Sequence, residues 1–247
     1  MSLAESAKND VPAAVQPRDI HHKLEGHLVI LDHLVQYRQM RTKSFDPEGA
    51  KKRALEAFWQ HGYEGTNLPE LLEMMRLGRA SFYNAFGSKH ELFIETLDLY
   101  LETLTAHFES LLAAEDNAES ALVSLVDGIL AIAKPTDDLW RGCFIGNTAL
   151  ELGAADPKVA ERLKIGIASV RSLFERALSL PLRPSRLLSE DSRRLRALQC
   201  TASLQGLLVL AKSGLPAVEL QAMRDALINT ALQSPDASTR AGRGKGK

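Results

Sequence analysis

The sequence predicts an all-α protein: an N-terminal three-helix unit containing a helix-turn-helix, followed by a larger C-terminal helical domain. Three observations lead there. Apolar residues recur at three- and four-residue spacing through most of the chain from residue 46 to residue 232. The breaks between these stretches carry helix starters (Asn67, Ser88, Asn117, Asp156) and helix stoppers (Gly62, Pro135, Pro181, Gly214). No run shows a comparable alternation of apolar and polar residues, the pattern of a half-buried strand.

Residues 1–19 mix Ala, Ser, Asn, Asp and two prolines without periodicity and read as a mobile arm. Leu24, Leu28, Leu31 and Val35 then place an additional helix over residues 20–40, unless this segment precedes the proper start of the folded protein. Asp46 caps a helix with Pro47 in its first turn and Ala50, Ala54 and Phe58 on its inner face; Gly62 ends it. Asn67 caps a second, with Pro69 and Glu70 in the first turn and Leu68, Leu71, Leu72 and Met75 inside. After Arg76, Leu77 and Gly78 comes a short third helix that buries Phe82 and Phe86.

Ser88 and Glu91 form a capping box for a long fourth helix reaching about Ala114. A fifth opens at Asn117, a sixth covers residues 139–152, and a seventh opens at Asp156-Pro157 with Val159, Leu163, Ile167, Val170 and Phe174 on one stripe. The eighth, over residues 190–212, is apolar nearly all round in its second half. The ninth repeats Leu220, Met223, Leu227 and Ala231 at near-heptad spacing. The tail from Ser234 is basic and reads as disordered.

Composition is that of an ordinary soluble domain, with 45% hydrophobic and 25% charged residues and a net charge of −1. Global charge therefore carries no nucleic-acid signal, but a phosphate-binding surface needs only a local cluster of cations. Cys143 and Cys200 are the two cysteines, in no zinc-ligand spacing, which fits a reducing cytoplasm and predicts no metal site. The apolar runs fall short of the roughly 20 residues of a membrane span, and no secretory leader is evident. No Ser/His/Asp, Cys/His or phosphate-loop arrangement appears, so neither a catalytic residue nor a cofactor is expected.

The chemistry concentrates between Met75 and His90, where Arg76, Arg79 and Lys89 occur without an acidic residue. Opposite the buried Phe82 and Phe86, the third helix turns out Ser81, Tyr83 and Asn84. A helix with one apolar side for its scaffold and a small polar, basic side outward suits a DNA major groove about 12 Å wide.

The set Ala54, Ala57, Phe58, Gly62-Tyr63, Thr66, Leu77-Gly78, Ser81-Phe82-Tyr83, Phe86, Lys89 and Leu92-Phe93 resembles the DNA-binding domain of the TetR family, over about residues 44–104 with the motif at 67–86. The resemblance implies that Arg79, Ala80, Ser81 and Asn84 face base edges or nearby phosphates, while Thr66, Tyr83 and Lys89 grip the backbone. Lys89 in the positive first turn of the fourth helix and the phenol of Tyr83 suit phosphate on their own chemistry. Arg76 stands where the family often has Gly, which adds a backbone contact, and Ala85 where it often has His, which removes one.

The resemblance further implies a ligand-binding and dimerisation domain over residues 105–233, with residues 1–43 an extension and 234–247 a tail. Leu204, Leu207, Leu208, Val209 and Leu210 cover more than one helix face and call for a second packing surface. The expected homodimer interface is Leu204, Leu208, Leu220, Met223 and Leu227. Phe108, Trp140, Cys143, Phe144, Asn147, Glu151 and Gln205 are the candidate ligand contacts, suited to an apolar or aromatic small molecule. The function expected is a cytoplasmic repressor that binds double-stranded operator DNA as a homodimer and is released by an inducer. The alternatives are an activator of the same fold and a redox or electrophile sensor using Cys143. His21, His22, His27 and His33 read as surface residues.

Overall fold

A computed structural model describes residues 46–134, 136, 140–153, 155–182 and 187–233. The helix expected over residues 20–40, its histidines, and the tail from residue 234 lie outside the described residues. Nine helices account for the described architecture, with no β-strand among those residues: α1 (Pro47–His61), α2 (Leu68–Met75), α3 (Arg79–Phe86), α4 (Lys89–Ala113), α5 (Ala118–Ala133), α6 (Phe144–Leu152), α7 (Pro157–Ala177), α8 (Glu190–Lys212) and α9 (Ala217–Leu232).

Side-chain caps set most of the starts. Asn67 accepts the Glu70 N–H, Ser88 that of Glu91, Asn117 that of Ser120, and Asp156 those of Lys158 and Val159. Each satisfies a donor that the helix itself leaves open. The sixth helix is shorter than the sequence suggests. Gly142 takes φ +70, which a helix cannot accommodate, and Cys143 caps the helix that follows.

In the larger part of the fold α7 is the central helix, packed against α4, α5, α6 and α8, with α9 lying on α8 and α5. Val159, Val170, Leu173 and Phe174 form its buried stripe. Phe108 is fully buried, and a Cβ on Gly128 of α5 would stand 2.7 Å from its ring. Its ring is a core element that relies on glycine opposite it. No break in packing falls at residue 104: α4 runs across it, and the chain from Glu48 onward forms one compact unit.

An aromatic cluster joins α1 to the body. Phe93 meets Phe58 edge-on at 5.0 Å and Phe144 at 5.9 Å, while Trp59 meets Tyr100 edge-on at 5.0 Å. Trp59 also donates its indole N–H to the Gly142 carbonyl at 3.0 Å, and the Arg141 guanidinium lies 3.6 Å over its ring.

The α8–α9 pair revises the expected dimer surface. Leu204, Leu208 and Leu227 are buried within the chain, because α8 is sandwiched between α7 and α9. Leu220 and Met223 are half-buried. What α8 leaves outside is a different stripe: Leu195, Leu198, Ala202, Gly206, Val209 and Leu210.

Candidate nucleic-acid interface

Helix α3 has the two-sidedness that the sequence suggests. Phe82 and Phe86 are buried, while Arg79, Ala80, Ser81, Tyr83 and Asn84 are exposed on the other side. Gly78 before it supplies no side-chain cap to the first-turn N–H groups. Between α2 and α3 the chain turns through Arg76, whose φ of 58° makes it a non-glycine residue in the left-handed region. Its N–H closes on Glu73 and Leu72, so the turn is hydrogen-bonded as a helix C-cap while the Arg76 side chain stands exposed.

Lys89 opens α4 with its ammonium 4.1 Å from the centre of the Tyr63 ring. Burial pushes its pKa below the ordinary 10.5, against the opposing pull of Glu64 and Glu151. Tyr63 packs on Phe58 and Phe93, and burial together with Glu64 and Asp156 raises its phenol. Next to Lys89, His90 is hydrogen-bonded to Asp156 at the head of α7.

Thr66 differs from the expectation. It is only 2% exposed, and its hydroxyl donates to the Gly62 carbonyl at 2.6 Å, so the side chain fastens the turn after α1 and offers no outward donor.

The candidate ligand contacts do not converge on one chamber. Phe144, Asn147 and Glu151 share a hollow of about 480 Å³ with Trp59 and Val209. Asn147 is engaged by its amide donating to the Arg141 carbonyl, and Glu151 by accepting the Tyr63 and Glu64 N–H groups. Cys143 and Gln205 form a separate pair, Sγ receiving the Gln205 amide at 3.5 Å and the Gly146 N–H at 3.4 Å. Trp140 stands half-buried with Lys134 over its ring. Phe108 is core.

A second hollow, of about 550 Å³, lies between α1 and α4 and contains none of the residues expected from sequence. Trp59 and Tyr100 line it, together with Arg53. Arg53 sits beside the buried stripe of Ala50, Ala54 and Ala57, a cation against an apolar face, and that was the signal available in sequence. Nothing local marks Glu151, whose partners lie 87 and 88 residues away.

Two short helices joined by a tight turn, the second presenting a polar and basic face on an aromatic base, define a helix-turn-helix protein. Residues 52–96 match the model of bacterial regulatory proteins of the tetR family. Over that segment the chain is similar to the DNA-binding part of the tetR family. Among curated relatives, the uncharacterized HTH-type transcriptional regulator YezE of Bacillus subtilis is 31% identical over 49% of this chain and 61% of its own length. The HTH-type transcriptional repressor ComR of Escherichia coli is 36% identical over 50% of this chain and 59% of its own. The chain thus spans about three-fifths of the length of these relatives. A structure of the TetR family regulator CifR, a cysteine mutant complexed with 26-bp double-strand operator DNA, superposes with a TM-score of 0.63 at 28% identity, over 76% of this chain and 97% of that one. A TetR regulator from Legionella pneumophila superposes with a TM-score of 0.66 over 77% of this chain and 98% of that one; at 16% identity it speaks for the fold alone.

Proposed function

We propose that this chain is a cytoplasmic repressor that binds double-stranded operator DNA as a homodimer and releases it when a small, largely apolar or aromatic molecule binds. The observation that carries the reading is the exposed face of α3, where Arg79, Ser81, Tyr83 and Asn84 stand together between Arg76 and Lys89. Arg79, Ser81 and Asn84 supply donors and acceptors for base edges. Arg76, Tyr83 and Lys89 supply contacts to phosphate, as do the α3 first-turn N–H groups. The likeness to CifR, whose structure is complexed with operator DNA, supports DNA binding.

A dimer places two copies of α3 in successive major grooves about 34–36 Å apart. The exposed stripe of α8 from Leu195 to Leu210 is the surface proposed for that pairing. It is apolar, it is continuous along one helix face, and Gly206 at its middle has no heavy atom near its Cβ position, which leaves room for close approach.

The test is selection of bound sequences from a random DNA pool by the full chain, followed by gel shift and footprinting. Enrichment of a palindrome bound by a dimer supports the reading; absence of enrichment, with the protein folded, overturns it. The position of that palindrome relative to a promoter then separates repression from activation.

A second reading rests on Cys143. Its sulfur caps α6 and receives two N–H donors, and it lies buried at the head of that helix. In that reading the sulfur adds to an activated C=C bond, an S–C bond forming as the π bond breaks and a proton ending on the neighbouring carbon, and the cap on α6 is lost. Mass spectrometry after exposure to N-ethylmaleimide, with operator release scored in wild type and Cys143→Ala, decides it.

A further inference from the structure

The hollow between α1 and α4 combines an apolar wall with one unusual cation. Leu55 and Trp59 of α1 face Leu99 and Leu104 of α4, with Ile132 of α5 beside them. Of the charged groups on its rim, Glu56 is already paired with Arg141. Arg53 is only partly engaged: Nη2 donates to the Met75 carbonyl at 3.2 Å, whereas Nε is buried and, among the described residues, is the buried side-chain atom left without a hydrogen-bond partner. A buried guanidinium N–H without an acceptor is costly, and native structures rarely keep one without a use.

We propose that this groove binds a small amphiphilic carboxylate. One carboxylate oxygen accepts the Arg53 Nε–H, Lys52 at the rim adds positive charge, and an aromatic or aliphatic body lies against Leu55, Trp59, Leu104 and Ile132. A carboxylate fits better than a phosphate ester. The single unpaired N–H and the nearby Lys52 suit a monoanion, and the apolar walls would leave a dianion poorly compensated. A volume of about 550 Å³ suits a drug-sized molecule.

The position also gives the ligand leverage. Met75 is the last residue of α2, directly before the Arg76 turn that aims α3. Arg53 reaches that carbonyl from α1, so a ligand that draws on Arg53 acts on the anchor of the reading helix. The inference rests on the effector-responsive reading above and gives it a ligand class and a place.

The test uses the full chain carrying Trp140→Phe, which leaves Trp59 as its one indole. The ligands are octanoate and 4-phenylbutyrate, compared with their primary amides. Indole fluorescence and calorimetric titration report binding. Saturable binding of the acids, with the amides at least tenfold weaker, is expected. Arg53→Gln should weaken the acids by about tenfold or more, to the level of the amides. Ile132→Phe, which fills the groove without altering Arg53, should abolish binding of both. Equal affinity of acids and amides, indifference to both substitutions, or no saturable binding at millimolar acid overturns the proposal. DNA retention is measured on the same preparations. A chain that holds its operator yet binds neither acid overturns this site and leaves the regulator reading standing, whereas binding of the acids without DNA binding does the reverse.

Discussion

Glu151, near the end of α6, accepts the backbone N–H of Glu64 at 2.8 Å, and its other oxygen takes the Tyr63 N–H at 3.1 Å. One carboxylate from the body of the protein thereby holds the turn that leads from α1 into the helix-turn-helix. Glu151→Ala should cost about 1 kcal/mol, below the usual range for charge-assisted bonds because the site is exposed. Urea melts measure that, and amide hydrogen exchange should accelerate at Tyr63 and Glu64. Unchanged exchange there would show that the turn holds itself.

Arg76 occupies a left-handed conformation that glycine adopts without penalty. Arg76→Gly should stabilise the fold by about 0.5–1 kcal/mol, relief of backbone strain outweighing the added freedom of the unfolded chain. It should also weaken DNA binding and reduce the slope of log affinity against log salt by about one, since a phosphate contact is removed. Thermal melts and salt titrations of operator binding check the two effects separately.

Lys89→Ala should lower affinity for all DNA sequences alike, again with a loss of about one in salt slope, whereas Asn84→Ala should relax discrimination at particular base pairs by about 1–3 kcal/mol. Gel shifts with operator and scrambled duplexes separate these patterns.

On α8, Leu198→Glu and Val209→Glu should give folded monomers that no longer retain operator DNA, because both side chains stand about half exposed. Leu204→Glu, at a fully buried position, should prevent folding instead. Sedimentation with circular dichroism distinguishes a lost interface from a lost fold.

Burial works against the Asp156 carboxylate, but the Val159 N–H, His90 and the Lys158 N–H outweigh it and hold the group below its ordinary 3.8. A depressed acid stabilises the folded state fully above the unfolded pKa, and that stabilisation is lost as pH falls through the folded value. Stability measured by urea melts should therefore drop below about pH 4, and Asp156→Asn, which retains a good N-cap, should flatten that slope.

The helices and most of their caps were legible because periodicity and capping are local: Asn67, Ser88, Asn117 and Asp156 each act within three residues of themselves. The sides of α8 were not. Leu204 and Leu208 look the same in sequence as Leu210, and only the positions of α7 and α9 decide which leucines become core. The candidate ligand set dispersed for a related reason. Phe108, Phe144 and Glu151 have the chemistry of a pocket wall, yet they are consumed by Gly128, the aromatic cluster and the Tyr63–Glu64 turn, all distant in the chain.

The edge-on stacking of Phe144 on Phe93 means that the helix-turn-helix unit is not a detachable module. A graft that transplanted residues 44–104 onto the body of another regulator would carry Phe58, Trp59 and Phe93 to a surface that lacks Phe144, the Gly142 carbonyl and Glu151. Chimaeras that retune operator choice should keep residues 140–152 with the head, so that both halves of the joint come from the same parent.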